Sequence, residues 1–179
     1  MSSRIAHLQL LAEYNRWMND RVYSAASRLD PEELARDRGA FFGSILGTLN
    51  HLVVADTLWL RRFARHPRQW PQIAPVLQLP VPASLDAILF PTLAELRQHR
   101  GELDAWILEW TAALLDEDLD TPLHYTNSKG QPYCRELHGL LLHVFNHQTH
   151  HRGQVTTLLT QAGVDVGVTD LLVLLPELG

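Results

Sequence analysis

The sequence predicts an all-α protein built as a four-helix bundle. Four stretches carry apolar residues at alternating spacings of three and four, which is the period of a helix that buries one face. No series of alternating strands separates them, and this disfavours layered α/β folds. The chain has 179 residues, 46% hydrophobic and 20% charged, enough for one full core, so we expect a single domain over residues 1–179.

The first predicted helix covers residues 5–29, where apolar side chains keep the helical spacing if Asn15 is counted with them. We expect it to end at Asp30, because the proline that follows disfavours helical geometry in the residue before it. Residues 32–43 are predicted to be a connection. Ser44 then offers a side chain that can cap the next helix.

The second predicted helix covers residues 45–64 and is apolar on nearly every side, although Asp56 interrupts its main stripe. A proline-rich loop follows over residues 66–83, and loops of this length are often functional. The third helix is predicted over residues 92–115. Pro91 is expected at its first turn, where a backbone N–H is not needed.

After the third helix, residues 123–134 combine turn residues with short polar and aromatic runs. This pattern indicates a β-hairpin-like excursion with its tip at residues 128–130. The fourth predicted helix covers residues 135–162, and Gly163 is a suitable C-terminal stop. The tail to residue 179 is apolar enough that we expect it to pack onto the bundle.

Charge and cysteine content disfavour several classes of function. The net charge of -5 and the pI near 6.0 argue against a nucleic-acid partner, which would need clustered lysine and arginine. The single cysteine, Cys134, excludes an intramolecular disulfide and favours a reducing, cytoplasmic location. The sequence has no signal-peptide pattern and no run of about 18 apolar residues, so we expect neither export nor a membrane partner.

Histidines of the fourth predicted helix are spaced to share a metal ion. Residues four apart lie on one face, offset by about 40° and about 6 Å, so His147 and His151 can direct imidazole nitrogens at one ion. His143 and His147 have the same spacing. If Val144 and His151 lie on the core seam, however, His143 and His150 point outward, and the inward pair is His147 with His151.

A third ligand must come from another helix, because metal sites with a catalytic opening usually have three protein ligands. His51 is the best candidate, since the residues three and four positions away from it are small or apolar. The alternative is a hydrogen-bonded core histidine without a metal. Solvated side chains near helix ends, in loops or on mixed faces are expected for His7, His66, His99, His124 and His138.

Several other residues interrupt the predicted seams or carry reactive groups. Asn15, Asp56, Arg100 and Gln148 are interpreted as a buried polar network that fixes helix register. As an alternative, Asp56 orients a ligand histidine from behind. The large aromatic residues, Trp59 among them, are interpreted as core, and Cys134 as an inert thiol because no histidine is placed in the sequence to activate it.

Three segments of the chain together resemble a known family. They are YNRW at residues 14–17, LNHL at residues 49–52 followed by Asp56, and FNHQTHHRGQ at residues 145–154. In order and spacing they resemble the DinB family of damage-inducible bacterial proteins over nearly the whole chain. The final HHRGQ run is the most specific part of the resemblance.

The resemblance implies a four-helix bundle with a long crossover connection, often a homodimer. It also implies a metal bound by one histidine of the second helix and two of the fourth. By motif these are the residues reached above from spacing, His51, His147 and His151. Relatives in the wider superfamily resemble metal-dependent transferases or isomerases that use a small cellular thiol, and others resemble hydrolases.

The leading hypothesis is therefore an enzyme of the S-transferase type. We expect zinc or nickel, held by three neutral imidazoles, with an open position where a low-molecular-weight thiol binds as thiolate and then attacks a small electrophile. Hydrolysis by metal-activated water is one alternative, disfavoured because no glutamate stands in an obvious base position. A non-enzymatic stress protein is the other. We expect specificity to reside in the loop at residues 66–83 and the hairpin near Lys129.

Overall fold

The computed structural model describes residues 3–177 of the chain and has six α-helices and a two-stranded hairpin over them. The elements in chain order are α1 (Arg4–Ala26), α2 (Pro31–Ala35), α3 (Ile45–Phe63), α4 (Leu93–Ala113), α5 (Asp116–Leu119), β1 (Pro122–Thr126), β2 (Pro132–Glu136) and α6 (Leu137–Gln161). The four long helices form the bundle that the sequence predicts. Among residues 3–177, no helix combines the length and the apolar character needed to cross a bilayer.

Side-chain caps define where the long helices begin. The oxygens of Ser3, Ser44 and Thr92 each accept a hydrogen bond from the backbone N–H three residues further on. The predicted cap at Ser44 is thus confirmed. Because Thr92 caps α4, Pro91 precedes the helix and does not lie in its first turn as predicted.

The connections contain more structure than the sequence predicts. Asp30 accepts a hydrogen bond from the Glu33 N–H and starts α2, which extends into the predicted connection. Helix α1 already ends at Ala26, before the end predicted at Asp30. The helix α5 was not predicted. The hairpin is confirmed, but it is longer than expected, because Arg135 pairs with Leu123 and therefore belongs to β2 and not to the fourth long helix.

The packing of the long helices shows how the chain crosses the bundle. Helix α1 packs against α4 and α6, and α3 packs against the same two helices, so α1 and α3 lie at opposite corners. Along α3 and α4 the contacts advance in the same direction, from Asp56 with Arg100 to Phe63 with Trp110. Two adjacent parallel helices need a connection that returns the length of the bundle. Residues 64–92 provide this long crossover, as predicted.

The crossover is held against the end of α3. The Nη1 atom of Arg61 donates to the carbonyls of Val76, Leu77 and Leu79 at 2.9, 3.1 and 2.6 Å. Two of these carbonyls belong to a single turn of 3-10 helix at Ala74–Gln78. Because buried carbonyls need donors, this one guanidinium fixes the return path of the chain along α3.

Polar side chains from all four long helices meet in the bundle centre. The Asp56 carboxylate accepts from Arg100 at 2.7 Å, and Arg100 Nη2 lies 3.0 Å from Asp104. Asn15 and Asn19 donate to Asp104 at 3.0 Å. We call this set the buried ionic network: Asn15, Asn19, Asp56, Arg100, Asp104 and Arg152. It supports the interpretation of a register-fixing network for Asn15, Asp56 and Arg100, whereas Gln148 lies outside the network and donates to the Leu52 carbonyl at 3.4 Å. Asp56 contacts an arginine and not a ligand histidine.

The C-terminal segment lies along α1. The Tyr14 hydroxyl donates to the Thr169 carbonyl at 2.6 Å, and Arg21 donates to the Val166 carbonyl at 3.0 Å. Val164 is also buried and Val166 packs against the core, whereas Leu172 and Val173 remain 72% and 55% exposed. The prediction that the apolar tail packs onto the bundle is therefore right for Val164 and Val166 and wrong for Leu172 and Val173.

Candidate metal centre

Antiparallel packing of α3 and α6 brings three histidines together. His51 lies in the second turn of α3, and His147 and His151 lie in the middle of α6. One ring nitrogen from each of the three lies within 4.8 Å of the other two. We call these residues the three-histidine cluster. The structure thus juxtaposes the residues that the sequence singles out, and their binding of a metal stays a prediction.

The spacing of the rings matches that of ligands on one ion. The Nε2 atoms of His51 and His147 are 3.2 Å apart. Two nitrogens at about 2.0–2.1 Å from a tetrahedral zinc ion are separated by about 3.3 Å. The centre of the His151 ring lies 4.5 Å from that of His51 and 4.4 Å from that of His147. The cluster could therefore hold a metal ion.

Hydrogen bonds fix the protonation of two of the rings. The Nδ1 atom of His51 lies 2.8 Å from the Leu85 carbonyl, and Nδ1 of His151 lies 2.7 Å from Oε1 of Gln154. Both partners are acceptors, so Nδ1 carries the hydrogen in each ring. The Nε2 lone pairs are then free to face a cation, which is the usual arrangement of metal-binding histidines.

Burial keeps the cluster neutral. It lowers the pKa of His147 to about 3, and the nearby imidazoles add to the effect. Burial is also the main reason that the pKa values of His51 and His151 are lowered. All three rings are therefore uncharged at neutral pH, and a neutral imidazole is the form that binds metals.

The Phe42 ring covers one side of the cluster. It stacks on His51 with ring centres 3.7 Å apart and meets His151 edge-on at 5.5 Å. A tight turn that packs closely against α3 places the ring there. A Cβ atom at Gly47 would lie only 2.1 Å from the Phe42 carbonyl oxygen. Glycine at position 47 is what allows the turn to lie this close to α3.

A cavity of about 330 Å³ opens on the other side of the cluster. Its walls come from α3, the crossover, the hairpin and α6. The hairpin expected to carry specificity therefore reaches it, whereas the crossover contributes Leu85, which lies outside the loop at residues 66–83. We call it the histidine cavity and define it by His51 and His147 at one end and by Trp59, Arg62, Tyr125 and Arg135 along its walls. A small molecule in it would face the two histidines directly.

Two residues of this cavity were interpreted differently from the sequence. Trp59 was assigned to the core, but its ring is only half-buried and lies 5.2 Å from that of His143. His143 is exposed as predicted, yet it lines the cavity beside His147. Helical periodicity distinguishes buried from exposed faces, and it cannot show that an exposed ring borders a cavity built by another segment.

Two further expectations about single residues were wrong, and so was the reason given for interpreting Cys134 as inert, which itself stays a prediction. His66 and His99 are 5% and 8% exposed and not solvated, since they pack against Trp70 and Phe90. Cys134 does have a histidine beside it, because strand pairing places His124 Nε2 3.6 Å from its sulfur. Both members of that pair are exposed on the hairpin.

Sequence reasoning also missed three partners of the cluster. Gln154 could have been found, because it lies three residues after His151 and therefore on the same helix face. The Leu85 carbonyl and the Phe42 ring come from irregular segments, whose path no periodic signal records. These partners orient the rings.

The bundle with its long crossover and the three-histidine cluster define a class of protein, namely helical bundles with a histidine set that could hold a metal. The sequence profile of the DinB family matches residues 1–177. The chain belongs to the DinB family.

Individual relatives agree with this assignment. The chain is 28% identical to "Protein DinB" of Bacillus subtilis (strain 168) over 162 residues, covering 89% of this chain and 88% of that protein. A crystal structure of a DinB-like protein from Bacillus cereus ATCC 10987 matches with a TM-score of 0.53 and 21% identity, over 86% of this chain and 91% of that one. At that identity, the structural likeness establishes the fold.

Proposed function

We propose that the three-histidine cluster binds one divalent transition metal, zinc or nickel, and that the protein is an S-transferase that joins a low-molecular-weight thiol to a small electrophile. The observation that carries the proposal is the convergence of three neutral imidazoles, two of which line an open cavity. Three protein ligands leave a coordination position for a substrate. Imidazole suits zinc and nickel alike, so the donor set does not choose between them.

The metal would supply a positive charge that lowers the pKa of a bound thiol, so that the thiolate is available at neutral pH. The chain's own residues prepare the site for it. The Leu85 carbonyl and Gln154 hold two of the rings with their Nε2 lone pairs inward. Phe42 closes one face of the cluster against water, and the histidine cavity leaves the opposite face open to substrates.

Hydrolysis is the second candidate, and the composition of the cavity disfavours it. A hydrolase that attacks its substrate with metal-activated water would use a carboxylate near the metal as general base. Within the part of the chain that the structure describes, no aspartate or glutamate lines the histidine cavity. A thiol needs less help than water, because its pKa starts far lower. A non-enzymatic stress protein is the third candidate, and the open side of the cluster disfavours a purely structural ion.

Metal analysis of the purified protein tests the site. We expect about one equivalent of metal in the wild type and in His150→Ala, and almost none in His151→Ala. His150 is the matched control, since it is the exposed neighbour of His151 on the same helix. Equal metal content in the two variants would remove His151 from the ligand set.

A thiol panel then tests the chemistry. Glutathione, bacillithiol, mycothiol and coenzyme A are each mixed with a generic electrophile and the metal-loaded protein. We expect one thiol to be consumed faster than without protein, and chelation of the metal to abolish the difference. If every thiol reacts at the uncatalysed rate, the hydrolytic or the non-enzymatic candidate replaces the transferase.

A further inference from the structure

Two arginines stand along the walls of the histidine cavity without an acidic partner. Arg62 comes from the last turn of α3, and Arg135 comes from β2. Among residues 3–177, neither has a carboxylate oxygen within 4.0 Å. Glu136 follows Arg135 in the chain, but it lines the adjoining groove and not the histidine cavity.

Aromatic rings hold both guanidinium groups in place. The Arg62 Cζ atom lies 4.4 Å from the centre of the Trp59 ring and 5.2 Å from that of Tyr125. Arg135 Cζ lies 5.3 Å from the centre of the Tyr133 ring, which stacks on Tyr125. Stacked guanidiniums keep their N–H groups free at the edge of the plane, where they can donate to a planar anion.

With a metal bound, the histidine cavity would carry an excess of positive charge that an anion could compensate. Three neutral imidazoles leave the two positive charges of a divalent ion uncompensated, and the two arginines add two more in the same small space. The chain as a whole is negative, with a net charge of -5, so this excess is local. A cation-lined cleft with low-dielectric walls selects and concentrates negatively charged ligands.

We infer that the histidine cavity binds an elongated small molecule with a carboxylate at one end, which Arg62 and Arg135 hold while the other end faces the three-histidine cluster. This inference rests on the proposed function and narrows its thiol to an acidic one. Arg62 lies eleven residues beyond His51 on α3, a rise of about 16 Å, and arginine side chains lean back toward the helix N-terminus. The ligand therefore needs a chain of several bonds between its thiol and its carboxylate.

Thiols of one length and different charge test this inference. The protein is loaded with cobalt(II), whose thiolate absorption band reports sulfur binding, and titrated with 6-mercaptohexanoate and with 6-mercaptohexanol. We expect the carboxylate to bind about 10- to 100-fold more tightly, the range of a charge-assisted hydrogen bond. The preference should fall below about threefold in Arg62→Gln and in Arg135→Gln. Arg16→Gln, an exposed arginine of α1, should keep it.

A second arm separates this inference from the proposed function. Hexanedioate is titrated into the metal-free protein and its variants by calorimetry, so this arm needs neither metal nor thiol. If cobalt gives no thiolate band with either probe, the proposed function has failed, and loss of hexanedioate binding in the Arg62 and Arg135 variants still supports the anion site. Equal affinities for the two thiols, a preference that survives both substitutions, or no hexanedioate binding overturns it.

Discussion

Two polar clusters, one buried and one half-buried, share the same helices and differ in how their charge is balanced. The buried ionic network contains two carboxylates and two guanidiniums, and Asp56 and Asp104 both contact Arg100. The three-histidine cluster contains only imidazoles. On α3 it lies five residues before Asp56, and on α6 His151 directly precedes Arg152. The network is complete with the protein's own charges. The cluster brings three ring nitrogens within 4.8 Å of one another, a composition that could hold a cation.

Polar residues that stabilise the fold and polar residues that form a candidate binding site differ in their partners. Both clusters interrupt apolar faces, so an interrupted apolar pattern alone does not distinguish them. The distinction lies in whether each group finds a partner of opposite charge or a matching donor and acceptor inside the chain. Polar residues with such a partner inside the chain stabilise the fold. Polar residues that converge without such a partner leave a place for a ligand.

The largest effect is expected from breaking the network. Arg100→Met removes the arginine that contacts both buried carboxylates and leaves Asp56 without its hydrogen-bond donor, so it should lower the free energy of unfolding of the metal-free protein by about 3–5 kcal/mol, measured by urea denaturation. Arg16→Met, an exposed substitution on α1, should change it by no more than about 0.5 kcal/mol. A loss below about 1 kcal/mol for Arg100→Met would mean that the network is not a structural unit.

The next effect concerns the cluster and depends on metal. Zinc at a hundredfold excess over its Kd should raise the free energy of unfolding by about 2.7 kcal/mol in the wild type and not at all in His147→Ala. His143→Ala is the matched control, because His143 has the same spacing from His147 as His151 and lies at its side. Stabilisation of His147→Ala by zinc, or its loss in His143→Ala, would redraw the ligand set.

A smaller effect tests the partners that orient the rings. Gln154→Leu removes the acceptor that fixes Nδ1 of His151 and should weaken metal binding about 10- to 100-fold, measured by competition with a chromophoric chelator. Gln161→Leu, an exposed change at the end of the same helix, should leave metal affinity unchanged. If the two variants bind metal equally well, the hydrogen bond does not position the ring.

The sequence predicts those features that depend on periodicity or on motif. Helical spacing identified the four long helices, and the resemblance of the motifs identified the long crossover. The spacing of His147 and His151 selected the pair that the structure brings together with His51. Each of these features is recorded either in the spacing of residues along one helix or in a short motif. Both can be read from a continuous stretch of the sequence.

Features built by irregular segments could not be predicted in this way. Arg62 and Arg135 lie 73 positions apart, and only the fold of the hairpin over α3 brings them to one cavity. The contacts of Leu85 and Phe42 with the cluster depend on the path of a loop and of a tight turn. His66 and His99 illustrate the reverse error, since aromatic neighbours distant in space bury histidines that the sequence places at solvated positions.

The smallest effect concerns a buried histidine that belongs to neither cluster. His99 packs on Phe90 and lies 3.3 Å from Glu102, and burial is the main reason that its pKa is lowered. The unfolded chain therefore takes up a proton at His99 near the usual pKa of about 6.5, at a pH where the folded protein does not.

Stability should accordingly fall as the pH drops through about 6.5, and His99 contributes at most about 1.4 kcal/mol per pH unit to that slope. We expect His99→Gln to show a shallower slope between pH 7.5 and 5.5 in urea denaturation and to keep the full stabilisation by zinc. The three cluster histidines titrate in both proteins, so the difference in slope reports His99 alone. Equal slopes would show that His99 binds protons equally in the folded and unfolded states. Loss of the zinc effect would mean that burial of a histidine outside the cluster also contributes to the metal site.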